Sequence, residues 1–97
     1  MRPVLQSDVT AAARALLAVP SHARNSHCAR LLREAEWADR YARKLRKPHP
    51  YWGNGTLVAA AAGHVQAAEP TFDDPAYCAA VVTVLAQLSA RSTGKDL

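Results

Sequence analysis

Five cations lie within eight residues near the middle of the chain: Arg40, Arg43, Lys44, Arg46 and Lys47. Clustered positive charge neutralises phosphate groups, and arginine can also bind a phosphate through two parallel hydrogen bonds. Together with Arg33, these residues are predicted to bind DNA. The alternative interpretation is a solvated helix face, whose cations are favoured by the helix dipole near its C-terminal end.

The positive charge of the chain is concentrated in this one segment. The formal net charge of the protein is +4. Residues 22–47 carry eight basic and three acidic side chains, whereas the rest of the chain carries four basic and five acidic ones. This asymmetry indicates a polyanionic partner, with nucleic acid as the first candidate.

Catalytic motifs are missing from the sequence. It contains no G-x-S-x-G, P-loop, G-x-G-x-x-G or H-E-x-x-H pattern. The neighbouring carboxylates of Asp73 and Asp74 would point in different directions at the start of a helix, and a capping role explains them. We therefore expect a protein that is not an enzyme and that uses no cofactor.

Histidine and cysteine are the residue types that could hold a metal, but their spacing matches no zinc signature. These candidates are His22, His27, Cys28, His49, His64 and Cys78. We expect no metal site. The two cysteines are expected to be buried free thiols of a reducing cytosol, although a disulfide between them is conceivable.

Capping residues and prolines predict where the first two helices begin and end. Ser7 is the expected N-cap of a helix at about residues 8–18. Ser21 is the expected N-cap of a second helix at 22–47, which Pro48 ends. This second helix has an apolar seam at heptad spacing and a basic outer side, so it is amphipathic.

The second half of the chain predicts two more helices. One covers about residues 56–62, after a turn-rich connection (HPYWGNG) whose tyrosine and tryptophan are expected to fold back over the core. The other covers 75–91, with Asp74 as N-cap, and is followed by a polar tail at 92–97.

The last predicted helix has no charged residue from Pro75 to Ala90. Its expected inner stripe consists of Cys78, Val81, Val82, Leu85 and Leu88, with Tyr77 and Val84 lying off that stripe. A helix that is apolar nearly all round must be buried nearly all round, which a 97-residue chain cannot easily achieve alone. The predicted oligomer interface consists of Val81, Val84, Leu85 and Leu88.

These observations predict a single all-α domain at residues 1–97, a small bundle of about four helices with two longer antiparallel ones. With 49% hydrophobic and 21% charged residues, the composition is that of a globular chain. We expect a cytoplasmic protein, because no 18-residue apolar stretch and no secretory signal pattern is present.

Three stretches together resemble a known family. They are RPVLQSDVTAAARALLAVP, HPYWGNGTLVAAA and DDPAYCAAV. They are similar to a short alphaproteobacterial protein that accompanies the head genes of gene transfer agents and is similar in role to a phage small terminase. The resemblance covers residues 1 to about 90.

The resemblance implies a DNA-packaging adaptor without catalytic residues. Small terminases assemble as rings, bind DNA, and recruit the large terminase, which carries the ATPase and nuclease. By position, the contact with the large subunit would lie at Leu88 to Leu97, with Leu88, Arg91 and Leu97 as candidate residues. Many phage relatives also carry an N-terminal helix-turn-helix, for which this chain is too short, so weak and non-specific binding of double-stranded DNA is expected.

A second hypothesis belongs to a different class of protein. It describes a protein-interaction module without nucleic acid, such as a neck or tail component of a phage-like particle or a regulator of another protein. In that case the basic helix would face an acidic protein surface. A duplex-DNA titration across salt concentrations separates the two hypotheses, because phosphate contacts give a steep salt dependence.

Overall fold

The computed structural model describes residues 1–95, and the side chains of residues 1–91, as a bundle of four α-helices. In chain order the elements are α1 (Gln6–Leu17), a 3-10 turn (Ser21–Ala23), α2 (Arg24–Leu45), α3 (Leu57–Ala62) and α4 (Pro75–Lys95). The protein is 66% helical, and no strand occurs within residues 1–95. The predicted all-α bundle is therefore confirmed.

Helix α1 packs against each of the other three helices. The apolar part of its buried side is made of alanine and one leucine: Ala12, Ala13, Ala15 and Leu16 are completely buried. Because a methyl group takes little space, the neighbouring helices can approach the α1 backbone closely. The larger core side chains come mostly from the other helices, among them Leu31, Leu32, Leu57 and Tyr77.

The inner side of α4 differs from the predicted one. Tyr77, Ala80 and Val84 are at most 1% exposed and contact the core, whereas Val82 and Leu85 are 63% and 51% exposed. The prediction that Tyr77 and Val84 lie off the buried stripe is therefore wrong. A helix that is apolar on every side does not fix its own rotation by its pattern, and here the largest side chain, Tyr77, determines which side turns inward.

The start of α1 depends on Asp8 rather than on Ser7. The helix begins at Gln6, so Ser7 lies in its first turn and is not the N-cap. The Leu5 N–H donates to Asp8 Oδ2 over 2.7 Å, and the Val58 N–H at the start of α3 donates to Asp8 Oδ1 over 2.8 Å. One buried carboxylate therefore satisfies backbone donors at the beginnings of two helices.

The ends of α2 also differ from the predicted ones. Ser21 belongs to the 3-10 turn, and the N-cap of α2 is Ala23, which makes no side-chain cap. At the other end the helix stops at Leu45, because Arg46 adopts the left-handed conformation with φ 56°. The predicted helix extended to residue 47, so α2 ends two residues earlier than predicted.

The start of α4 follows the predicted capping pattern. Asp74 Oδ1 accepts from the N–H of Ala76 over 2.9 Å and from that of Tyr77 over 3.4 Å. Pro75 occupies the first helical position, where its missing N–H costs no hydrogen bond. Of the helices in residues 1–95, none has the length and apolar character that crossing a membrane requires.

Because Asp8 accepts hydrogen bonds at the beginnings of two helices, substitutions of Asp8 and of the neighbouring Ser7 should differ in their effect on stability. We expect Asp8→Ala to lower the free energy of unfolding by about 2–4 kcal/mol, because two backbone N–H groups lose their acceptor. The neighbouring Ser7→Ala, at an exposed position, should change it by less than about 0.5 kcal/mol. Urea denaturation followed by circular dichroism measures both, and equal effects would contradict the assigned role.

Candidate nucleic-acid interface

The exposed side of α2 carries a row of cations, which we name the basic stripe: Arg33, Arg40 and Lys44. Their spacing of seven and four residues places them on one face of the helix, and all three side chains are exposed. Trp37 lies in the same row and is 48% exposed. The structure therefore brings these three predicted DNA-binding residues together.

The cations of α2 differ in how far neighbouring carboxylates neutralise them. Neither Arg33 nor Lys44 makes an ion pair within the described part of the chain, and Arg40 Nη2 lies 3.9 Å from Glu36 Oε1. Arg43 instead pairs with Asp39, at 3.2 Å between Nη2 and Oδ2. Arg43 therefore lies beside the basic stripe, with its charge partly engaged by a buried carboxylate.

Asp39 anchors the first residues of the chain to α2. Its Oδ2 lies 3.1 Å from the Met1 ammonium group. Burial alone would raise the pKa of Asp39, but the hydrogen bond and charge of that ammonium, together with Arg43, lower it. The ionised carboxylate thereby holds the N-terminal segment next to the second half of α2.

A cleft of about 280 Å³ opens at the C-terminal end of α2. Arg46 and Lys47, both predicted to bind DNA, line this cleft together with Arg2 and Asn54, and no carboxylate among the described residues belongs to its lining. Arg2 was not predicted, because an isolated arginine far away along the sequence gives no signal. Its position follows from the Met1 anchor and from the Arg2 N–H, which donates to Gly55 O over 3.1 Å.

Gly55 allows the loop before α3 to lie close to the backbone of α2. Its φ is +97°, and a Cβ atom there would lie 2.7 Å from both Cα and Cβ of Asp39. A side chain at this position would be strained in its backbone conformation and would also collide with α2. The loop before α3 can therefore approach the helix only through glycine.

Aromatic rings border the basic stripe on the side of that loop. The His49 ring is stacked on Trp52 with 4.4 Å between centroids and 8° between planes, and Trp52 lies 5.6 Å from Trp37. His49 Nδ1 accepts from the N–H groups of Tyr51 (3.1 Å) and Trp52 (3.2 Å). We name the exposed edge of this cluster, made of Trp37, Tyr51 and Trp52, the aromatic face.

Trp52 and Tyr51 do not behave alike, although both were expected to cover the core. Trp52 is partly buried, but against the exposed Trp37 of α2 rather than over the core, and Tyr51 is 78% exposed, so the prediction is wrong for Tyr51. Trp37 was not singled out from the sequence at all. The signal that could have found it is its spacing, four residues after Arg33 and three before Arg40.

A second buried carboxylate on α2 faces α3. Glu34 Oε1 lies 2.6 Å from His64 Nε2, and Glu34 Oε2 accepts from Arg30 Nε over 3.0 Å. The His27 ring meets the His64 ring edge to face at 5.0 Å. Burial, and then the charges of His64 and Arg30, lower the pKa of His27, with Glu34 acting in the opposite direction.

The orientation of α4 about its axis places the residues of the predicted oligomer interface in different environments. Val84 belongs to the core of its own chain, and Val81 and Leu88 pack partly against that core. Of the four predicted interface residues, only Leu85 is exposed. Val82, which was not one of them, is exposed as well. Of the residues expected to contact the large terminase, Leu88 is partly covered, Arg91 pairs with Glu36, and Leu97 lies outside the described residues.

Both cysteines are free thiols. Cys28 is 1% exposed, and burial raises its pKa to about 11. Cys78 was expected to be buried but is partly exposed, and its thiol donates to the carbonyl oxygen of Phe72 over 3.0 Å. No group of three His, Cys, Asp or Glu residues that could hold a metal ion occurs in the described part of the chain.

Fold and surface together define a small helical protein with a basic stripe and an aromatic face along one helix. The chain belongs to the family described as a domain of unknown function (DUF7742), whose model matches residues 2–88. Searches of curated proteins and of solved structures found no match. The family description carries no activity, so the geometry of the surface is what indicates a function.

The left-handed conformation of Arg46 predicts a stability difference. We expect Arg46→Gly to raise the free energy of unfolding by about 0.5–1 kcal/mol, because glycine adopts this conformation without the steric cost of a Cβ atom. Arg46→Ala removes the same charge and keeps that cost, so it should give no increase. Urea denaturation compares the two variants, and equal stability would show that the conformation carries no strain.

Proposed function

We propose that this protein is a non-catalytic DNA-packaging adaptor, similar to a small terminase, that binds duplex DNA through α2. The observation that carries the proposal is the basic stripe, whose cations project from one rigid, exposed helix face. From Arg33 to Lys44 the stripe extends about 16 Å, which is enough to contact several successive phosphates.

The cations near the N-terminus of α2 already contact other groups of the protein, which supports DNA binding without sequence preference. A recognition helix reads base edges with its N-terminal residues. Near the N-terminus of α2, however, Arg24 Nε donates to Leu16 O over 3.0 Å, and Arg30 pairs with Glu34. The cations available for a ligand lie further along the helix and contact phosphates, which carry no sequence information.

The outer side of α4 supports assembly into an oligomer. Val82 and Leu85 are large, exposed apolar residues on a helix without charge from Pro75 to Ala90. Covering this surface with a second copy would bury apolar area that a single chain leaves in water. We place the subunit interface here, around Val82 and Leu85, instead of at Val84.

The packaging role itself follows from the resemblance to the small-terminase-like protein of gene transfer agents. In that role the protein acts in the cytoplasm, assembles as a ring, and recruits the large terminase through the segment that begins near Leu88. The adaptor needs no catalytic residues of its own, because the large subunit supplies ATPase and nuclease activity.

The first test removes charge from the basic stripe. We expect Arg33→Gln combined with Lys44→Gln to weaken duplex binding at low salt and to reduce the slope of log K against log salt by about 2, or roughly one for each lost phosphate contact. Neither residue makes an ion pair in the described structure, so helix content should stay unchanged. Fluorescence anisotropy of a labelled duplex measures the affinity.

The matched control makes the same change of net charge on α1. Gln6→Glu with Ser7→Glu replaces two exposed residues in the first helical turn, where negative charge is tolerated. It should bind DNA more tightly than the α2 variant. An equal loss of duplex affinity in both variants would show that only the net charge matters. If the unaltered protein does not bind DNA at all, the alternative of a protein-interaction module is favoured.

The second test concerns assembly. We expect the unaltered protein to have a solution mass several times 10.4 kDa by light scattering coupled to size exclusion. Val82→Glu should shift the mass toward that of one chain, because a carboxylate would be buried in the interface. Val65→Glu, at a position 80% exposed outside α4, is the control and should leave the mass unchanged. A monomeric unaltered protein would contradict the ring.

A further inference from the structure

The aromatic face has a property that a purely structural cluster does not need. Trp52 has the His49 ring stacked on it and Trp37 beside it, so its position is fixed by its neighbours. Trp37 and Tyr51, in contrast, are 48% and 78% exposed. Trp52 and His49 fasten the loop to α2 through Trp37 and Tyr41, and Trp37 and Tyr51 still expose ring surface to solvent.

The loop that carries Tyr51 and Trp52 is ordered before any ligand arrives. The backbone of His49 exchanges two hydrogen bonds with that of Gly53, of 2.7 and 3.1 Å, and the His49 side chain accepts from two further N–H groups of the turn. Tyr41 packs edge to face on His49 at 4.8 Å. A ligand that stacks on this face therefore pays little ordering entropy.

Cations flank Trp37, one of the two exposed rings. Arg33 and Arg40 lie one helical turn before and after Trp37 on the same face of α2, and Lys44 follows one turn later. The nearest carboxylates in sequence are already engaged: Glu34 and Asp39 are buried and paired, and Glu36 contacts Arg40 and Arg91. Aromatic rings next to a positive track match a chain of flat bases joined by phosphates.

We infer that the aromatic face and the basic stripe together bind single-stranded nucleic acid. Unpaired bases stack on Trp37 and Tyr51, while Arg33 and Arg40 contact the phosphates between them. A duplex keeps its base faces covered and can use only the cations. The inference goes beyond the proposed packaging function, because it assigns the aromatic residues to a different form of nucleic acid, and it stands or falls independently of duplex binding.

The test compares three probes of equal length: an oligodeoxythymidine, an abasic oligomer with the same phosphates, and a duplex. We expect the oligodeoxythymidine to bind at least tenfold more tightly than the abasic oligomer. It should also quench tryptophan fluorescence, which reports only on Trp37 and Trp52, the two tryptophans of the chain. Equal affinity for the thymidine and abasic oligomers would overturn the inference and leave the duplex proposal untouched.

Variants at position 51 locate the effect. Tyr51→Ala should lose about tenfold in affinity for oligodeoxythymidine and keep its affinity for the duplex and the abasic oligomer. Tyr51→Phe retains the ring and should bind like the unaltered protein. Because Tyr51 is so exposed, neither change threatens folding, which far-UV circular dichroism verifies. Unchanged oligodeoxythymidine binding by Tyr51→Ala would overturn the inference.

Discussion

The close packing of α1 through alanine is the constraint on which the rest of the fold depends. Because Ala12, Ala13 and Ala15 present only methyl groups, α2, α3 and α4 can all pack on one twelve-residue helix. Such a core is thin, and it covers only one side of each longer helix. The outer sides of α2 and α4 therefore face solvent, one of them cationic and the other apolar.

The distribution of carboxylates makes the cationic side more positive than the net charge suggests. Asp8, Glu34 and Asp39 are buried and engaged in capping or ion pairs inside the molecule. Each of them also joins two parts of the chain: Asp8 connects α1 to α3, Glu34 connects α2 to His64, and Asp39 connects α2 to Met1. The same acidic groups that organise the fold thus leave the surface to the cations.

Sequence patterns predicted what depends on local chemistry, namely four helices, the Asp74 cap and the exposed cations of α2. They failed where a distant contact decides the outcome. Asp8 replaces Ser7 as the capping residue because it can also reach Val58 of α3. Val84 turns inward because Tyr77 fills the core, which no period in an all-apolar helix reveals. Two further features also depend on contacts between distant parts of the chain. The packing of the loop on α2 determines how exposed Trp37 and Tyr51 are, and the packing of the N-terminal segment on α2 places Arg2 in the cleft.

Gly55 is one of two positions at which the loop requires glycine; at the other, Gly53, φ is +80° and a Cβ atom would lie 2.6 Å from Cβ of Ala59. Three partners converge at Gly55: the α2 backbone at Asp39, the Arg2 N–H, and Thr56, the N-cap of α3, one residue later. Substitution of the exposed Tyr51, by contrast, would change the surface of the loop without affecting how it packs on α2. A side chain at Gly55 would push the loop away from Asp39, and with it both the cleft lining at Asn54 and the rings of Tyr51 and Trp52 that the loop carries.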